Sequence, residues 1–313
     1  MVVVWTQKKR AIAALEGKQP DRVPTFELEF QLTEELFGRS FRRPSEASTD
    51  TEFREICRHN AALYVDVAKE LEYDIIMLAV AGEDEAALLE TGRHIKDLVG
   101  EQYLLVAHGD GTFAIPDGNT MLEFSYWLHD HPQEVHEHAK KMMNDAVERN
   151  KRLFDAGFDG FALCADYCFN DGPFMSPKMF SEFVTPYLAE LIAAIRQMGA
   201  YAIKHTDGNI MPIVDQLVDC NPHALHSLDP MAGIDIKTIK ETYGDRVCLI
   251  GNVNCALLQT GTPEEIDHSA LYALTHGKPG GGYIYSTSNV AYKGMPLENY
   301  TRIWRIWKEN RDY

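Results

Sequence analysis

The chain contains no apolar run approaching the roughly 20 residues that a membrane-spanning helix requires. That excludes a helical span. It is also short of positive charge, with 30 Lys and Arg against 47 Asp and Glu and a net charge of -17. Such a surface offers no general basic face for releasing counterions, so neither nucleic acid nor an anionic membrane is expected as a partner. Cysteine is sparse: Cys57, Cys164, Cys168, Cys220, Cys248 and Cys255 lie scattered, and nothing ahead of them reads as a signal peptide. Reduced thiols in the cytoplasm are therefore expected rather than a disulfide framework. Cys164 and Cys168 have no second Cys or His pair at zinc-finger spacing. Three nucleotide and nucleophile signatures are missing too: a phosphate loop, a Gly-x-Ser-x-Gly elbow and a dinucleotide fingerprint. Gly280-Gly281-Gly282 precedes a strand instead of following one.

What remains is ordinary in composition and specific in pattern. A chain of 313 residues with 45% hydrophobic and 25% charged residues is a soluble globular protein with room for a large core. No linker or composition break divides it, so one domain over residues 1–313 is expected, with a helical extension at its N-terminus. The second half repeats one grammar. Apolar runs at 158–165, 201–203, 224–228, 247–251 and 282–285 end in Asp166, in His205 and Asp207, in Asp229, in Asn252, and in Ser286, Ser288 and Asn289. Helical patterns separate the runs. Strands alternating with helices imply a parallel sheet with right-handed crossovers. Functional groups gathered at strand C-termini are the mark of a (β/α)₈ TIM-type barrel with one active face.

The first half is less regular. A helix is expected from Gln7 to Glu16 and a first strand from Val23 to Phe30, whose alternation puts Glu27 and Glu29 on one face. A long helix from Asp50, taken as N-cap, to Leu71 should precede a second strand, Tyr73 to Val80, ending near Glu83, Asp84 and Glu85. Residues 95–124 read as a hairpin-like excursion closed by a short strand around Met121 to Phe124. Helices then open at His131-Pro132, running to Ala156, and at Ser176-Pro177, running to Met198. Tyr300 to Trp307 reads as an amphipathic closing helix.

Candidate chemistry concentrates at the strand ends. His205 and Asp207 stand two apart, so one strand sends both to one face, where they could ligate a metal or orient a substrate. Asp207 could equally cap the next helix, since Asp207-Gly208-Asn209 is turn chemistry. Two ligands do not complete a catalytic zinc site; Asp166, Asp229, Glu27 or Glu29 could supply the rest. Tyr167 and Asn170 lie in the strand-to-helix loop after Asp166, and Asn252 and Ser288 end two later strands. These four, with Glu27 and Glu29, are the substrate-contact candidates. Met175, Met179, Met211 and Met231 read as core filling.

These residues together give a family resemblance. The chain resembles the uroporphyrinogen decarboxylase superfamily, including its corrinoid-dependent methyltransferase branch. The motifs run from Arg10-Ala11-Ile12-Ala13-Ala14-Leu15-Glu16-Gly17 and Pro20-Asp21-Arg22-Val23-Pro24 through Ser176-Pro177 with Phe180. They continue through His205-Thr206-Asp207-Gly208-Asn209, Leu228-Asp229, Gly251-Asn252-Val253 and Pro296-Leu297-Glu298-Asn299. The resemblance implies a (β/α)₈ barrel with its site at the C-terminal strand ends.

Two departures narrow the branch. Decarboxylases of this family place an arginine-rich motif just after the first strand, where this chain has the acidic Phe26-Glu27-Leu28-Glu29-Phe30-Gln31. Arg39, Arg42 and Arg43 follow without the motif. Thiol methyltransferases hold zinc with a His-x-Cys pair and a late Cys. Here Asp207 takes the first Cys position, and Ser286-Thr287-Ser288-Asn289 falls where the second would be. Loss of soft thiolate ligands argues against activating a thiol. The resemblance then implies the methyl-donor side of an O-demethylase-like system. The methyl group of a methoxylated aromatic donor passes to the cob(I)alamin of a partner corrinoid protein. His205, Asp207, Asp229 and Asp166 are the catalytic candidates, with possible zinc at His205 and Asp207. A decarboxylase for another acid, a thiol methyltransferase with an altered metal site, and a non-catalytic corrinoid or tetrapyrrole scaffold stay open as alternatives.

Overall fold

The computed structural model describes residues 4–79 and 84–313. Seven strands form one parallel sheet in sequence order: β1 (Ile75–Leu78), β2 (Leu104–His108), β3 (Gly160–Leu163), β4 (Tyr201–Thr206), β5 (Ala224–Ser227), β6 (Cys248–Val253) and β7 (Tyr283–Thr287). Helices connect them on the outside. The eighth stave is the segment 23–30, lying between β7 and β1. On one side Phe26 N–H donates to the Tyr285 carbonyl (3.1 Å) and Tyr285 N–H to that of Pro24 (2.8 Å); on the other Asp74 N–H donates to Thr25 (3.0 Å). The expected first strand is thus an extended segment held by isolated bridges at Thr25 and Phe30. Its ladder is broken because Pro24 has no N–H and the Asp74 carboxylate takes the Thr25 N–H (2.9 Å).

Alternation divides the strands into two faces. Ile75, Met77, Leu104, Val106, Ile203 and Ile250 fill the barrel interior, and Phe26 and Leu28 join them from the eighth stave. The helix Gln7–Leu15 adds Ala11, Ala14 and Leu15 to that interior and so plugs the N-terminal end of the barrel. Arg10 anchors the plug. Its guanidinium donates to Asp21 (2.6 Å) and to the wholly buried Asp74 (2.9 Å). The closing helix Leu297–Asn310 buries Tyr300, Ile303, Trp304, Ile306 and Trp307 against the outer face.

Several expectations are corrected. Residues 95–108 form no hairpin; a helix Glu85–Val99 leads into β2, which is parallel to β1 and β3. Met121–Asp130 is a helix rather than a strand, because Phe124, Trp127 and Leu128 recur at helical spacing; Phe124 and Trp127 also meet Phe113 edge-on. Thr49, not Asp50, caps the helix Asp50–Glu70, its side chain accepting from Glu52 N–H (3.2 Å). The helix expected from Ser176 to Met198 is two, Pro177–Phe183 and Thr185–Met198, broken at Val184 ahead of Pro186. Val80 and Glu83, expected at the end of the second strand, lie outside the described residues.

Candidate active site at the barrel mouth

The ends of β3, β4, β5 and β7 converge on the C-terminal face. β4 turns His205 inward with Ile203, and the register pairs His205 with His226 on β5. Asp166 follows β3, and its placement depends on a buried polar girdle outside the barrel wall. The Asp110 carboxylate accepts from Gly111 N–H (2.8 Å), Thr112 N–H (2.9 Å) and Ala165 N–H (2.8 Å). The fully buried Lys204 ammonium donates to Asp110 (3.1 Å) and to the carbonyls of Leu163 (3.0 Å) and Ala165 (2.9 Å), and lies 4.0 Å from the Tyr167 ring centre. Burial pushes the Asp110 carboxyl up, but Lys204 and the amide donors hold it below its usual range. Tyr167 N–H donates to the Thr206 hydroxyl (2.9 Å), and Asp207 N–H to Asp166 (3.0 Å). Two loops are thereby locked together.

Gly208 makes this possible. Its φ is +80°, and a Cβ there would stand 2.5 Å from the Cys168 carbonyl oxygen and 2.6 Å from that of Phe169. Only glycine lets the Asp207 turn rest on the short hairpin that follows Asp166.

Three ligand-type atoms meet at the mouth. His205 Nε2 lies 3.7 Å from Asp166 Oδ1 and 3.8 Å from Asp207 Oδ1, and the three residues' donor atoms all fall within 4.8 Å of one another. These separations are too long for hydrogen bonds. They are near the ~3.4 Å that ligands of a tetrahedral ion with ~2.0–2.1 Å bonds keep from each other. The donor set fits a divalent cation: burial, with Lys204 and His108 nearby, holds His205 neutral, its pKa down at about 3. Both carboxylates are braced as metal ligands usually are. Asp207 Oδ1 accepts from the Ser227 hydroxyl (2.6 Å) and Oδ2 from Asn289 Nδ2.

Without a cation the cluster holds a proton. Burial lifts the Asp207 carboxyl to about 7; the Ser227 hydrogen bond opposes this, and Asp166 and Asp229 add to it. Hydrogen counting agrees. The Ser227 hydroxyl is 2.6 Å from both Asp207 and the Ser288 carbonyl, and its single hydrogen serves one of them. A proton on Asp207 completes the arrangement.

Asp229 lies beside this group, and burial raises its carboxyl although the N–H groups of Met231 (2.9 Å) and Gly208 partly offset it. It caps the turn after β5, the role that turn chemistry also allowed for Asp207; Asp207 instead binds Ser227 and Asn289. Of the remaining candidates, Tyr167 is buried with its hydroxyl against that of Thr112 (2.6 Å), and Asn252 is buried with its amide on the Leu228 carbonyl (2.8 Å). Ser288 is buried and Asn170 is exposed on the hairpin. Glu27 and Glu29 are not brought to the cluster. They share a face, but Phe26 and Leu28 occupy the interior, so Glu27 points outward to Thr287 (2.7 Å) and Tyr300 (2.9 Å). Met211 and Met231, read as core filling, are exposed on the loops bearing Asp207 and Asp229, while Met175 is buried. Sequence reasoning missed His226, Ser227 and the Asn289 bond to Asp207. His226 keeps the alternation, on the interior face two residues after Ala224, and only the register brings it to His205; Ser227 is hidden because Ser227 and Leu228 take positive φ (87° and 50°) and break the alternation there.

The family model for uroporphyrinogen decarboxylase matches residues 115–310. The chain belongs to the uroporphyrinogen decarboxylase family. The three residues of the His205 cluster and the neighbouring Asp229 fall within the matched part of this family member. Among curated relatives, it is 33% identical to a uroporphyrinogen decarboxylase of Chlorobium luteolum over 107 residues, which is 32% of the chain and 28% of that protein. It is 24% identical to the methylcobamide:CoM methyltransferase MtaA of Methanosarcina barkeri over an alignment of 339 positions, gaps included, that covers 94% of the chain and 95% of that protein. Among solved structures, a methyltransferase from Methanosarcina mazei superposes with a TM-score of 0.77 at 19% identity, covering 98% of the chain and 99% of its own. That likeness establishes the fold: the family's (β/α)₈ barrel.

Proposed function

We propose that this family member is a corrinoid-dependent methyltransferase working on the methyl-donor side. The observation that carries the reading is the Asp166–His205–Asp207 cluster at the mouth: ligand-type residues without a thiolate. The similarity to a methyltransferase over 94% of the chain supports it, against decarboxylase matches over 32% and 54% of the chain. The arginines that follow the eighth stave give a decarboxylase little help; Arg39, for one, pairs with Asp66 on an outer helix (2.6 Å).

In this reading the substrate is a methoxylated aromatic, and the co-substrate is the cob(I)alamin of a partner corrinoid protein. The methyl–oxygen bond breaks, the methyl group passes to cobalt, and the oxygen leaves with the bonding electron pair as a phenolate. Asp166, His205 and Asp207 would hold a zinc-like divalent cation, which supplies Lewis acidity toward that oxygen. The chain's own residues position the ether and manage protons. In this reading Asp229, whose carboxyl burial raises and which is not a member of the ligand cluster, would protonate the phenolate. The exposed Met211, Met231 and Phe169 offer apolar surface for the ring. The enzyme acts as one barrel over residues 1–313, in the cytoplasm.

The test is incubation with a reduced corrinoid protein and a panel of methoxylated aromatics, following the absorbance of the methylated corrinoid. Transfer from an ether, lost in His205→Ala and Asp166→Asn, is expected. No transfer from any ether would sink the O-demethylase assignment and send the panel to methylamines, methanol and carboxylated tetrapyrroles. The similarity to methylcobamide:CoM methyltransferase favours a second one, which the same assay run from methylcobalamin to a thiol would reveal.

A further inference from the structure

The nearest polar neighbour of His205 inside the barrel is another histidine, His226, and the hydrogen count between them is informative. The two Nδ1 atoms are 2.7 Å apart, both rings are buried, and the ring planes are inclined by 34°. At that distance one hydrogen, and only one, lies between the two nitrogens. It belongs either to His205, leaving its Nε2 with a bare lone pair facing Asp166 and Asp207, or to His226, putting a hydrogen on that Nε2.

The remaining contacts of His226 are sparse. Its ring stands edge-on to Phe26 at 5.4 Å, and β6 sets Ile250 opposite it in register. Its Nε2 is buried without a hydrogen bond, and the backbone of Thr287 is the polar group beside it. A buried imidazole in an apolar barrel, with only His205 and the Thr287 backbone as polar neighbours among the described residues, packs little better than a leucine of similar size would. Buried polar groups of this kind need a reason.

We infer that His226 is a positioning residue for the cation site: its Nδ1 accepts the Nδ1 hydrogen of His205 and so fixes the Nε2 lone pair of His205 on the space between Asp166 and Asp207. Ligating histidines ordinarily spend their second ring nitrogen on a carboxylate, a carbonyl or a water. Here the carboxylates are committed to the ligand side, and a neutral imidazole takes that place. It fixes the tautomer without adding a negative charge beneath two aspartates. The inference rests on the cation site of the proposed function and extends it by one residue outside the ligand cluster.

The test uses the full chain and measures affinity for Zn²⁺ and Co²⁺ by competition with a chromophoric chelator. His226→Leu removes the acceptor and should weaken binding about 10–100-fold. His226→Asn keeps an acceptor oxygen close to the Nδ1 position and should retain most of the affinity. ¹⁵N NMR of the wild-type protein with Zn²⁺ should show His205 protonated at Nδ1 and ligating through Nε2. The NMR readout stands even if a variant folds poorly. Equal affinity in wild type and His226→Leu, or equal loss in both variants, would overturn the inference while leaving the cation site intact; a hydrogen assigned to His226 Nδ1 would overturn it and take His205 Nε2 out of the ligand set. A wild-type protein that binds neither ion removes the site itself, and the role of His226 with it.

Discussion

Glu27 is buried, faces no cation among the described residues, and accepts hydrogen bonds from Thr287 and Tyr300, whose hydroxyl meets that of Tyr73 at 2.5 Å. Burial raises its carboxyl to about 8 in spite of those donors. The sign of the consequence follows from proton counting. Between its usual value near 4.5 and about 8, the folded protein keeps a proton that the unfolded chain has lost. Stability from this group is therefore complete at low pH, declines through that window and levels off above it. Glu27→Gln removes the titration and keeps the shape. Its thermal stability should match wild type near pH 5 and exceed it by pH 8, by an amount on the order of a few kcal/mol. A difference that stays constant from pH 5 to 8 would show that Glu27 is ionised throughout. Asp207 yields a second pH prediction at the same scale. A cation must displace its proton, so apparent Zn²⁺ affinity should rise about tenfold per pH unit up to about 7 and then flatten. His205, neutral above about 3, adds nothing in that range. Chelator competition from pH 5.5 to 8.5 reads the curve directly, and Asp207→Asn should both weaken binding and remove the slope.

Elements carry the next layer, and here the sequence was unevenly legible. Strands β3 to β7 were visible because each ends an apolar run in a polar residue, and the parallel sheet makes such ends the exposed points of buried strands. Asp166, His205, Asp207 and Asp229 could be found that way. Glu27 could not be assigned, since alternation puts Glu27 and Glu29 on one face without saying which face is inside; Phe26 and Leu28 decide that only once the barrel closes. β2 ends its apolar run in His108 like the others, but it was read as part of a hairpin because the turn signals Gly109-Asp110-Gly111 and Pro116-Asp117-Gly118 follow it. The eighth stave is instructive for its anchor. Asp74, fully buried, accepts from Arg10, Arg22 and the Thr25 amide, tying the plug helix, the stave and β1 to one carboxylate. Arg10→Met would leave that charge with Arg22 as its remaining cation, at 3.2 Å. Breaking such a buried pair costs ~3–5 kcal/mol, and the surviving arginine places the expectation at the lower end. Urea unfolding measures it, and a loss below about 1 kcal/mol would mean that Arg22 alone satisfies Asp74.

At the scale of the molecule, the two ends of the barrel hold different kinds of residue. The N-terminal end is closed by Ala11, Ala14 and Leu15 over an apolar interior, while the C-terminal end gathers the histidine, carboxylates and exposed methionines. In a barrel of this type the first end supports stability and the second carries chemistry. The separation can be tested as a crossed pair of substitutions. Leu15 is 4% exposed, so Leu15→Ala opens a cavity beneath the strands and should cost ~2–5 kcal/mol. The Zn²⁺ affinity of the folded protein should not change, because the strands between plug and mouth are pinned by their own ladder. Asp166→Asn should do the reverse. It keeps an acceptor for the Asp207 amide and leaves unfolding within about 1 kcal/mol of wild type, yet it removes one of the charged ligands and should lower Zn²⁺ affinity more than tenfold. Both quantities are measured on both variants. If Leu15→Ala also loses the ion below its unfolding temperature, then the plug helps to shape the mouth, and the two ends of the barrel act as one element.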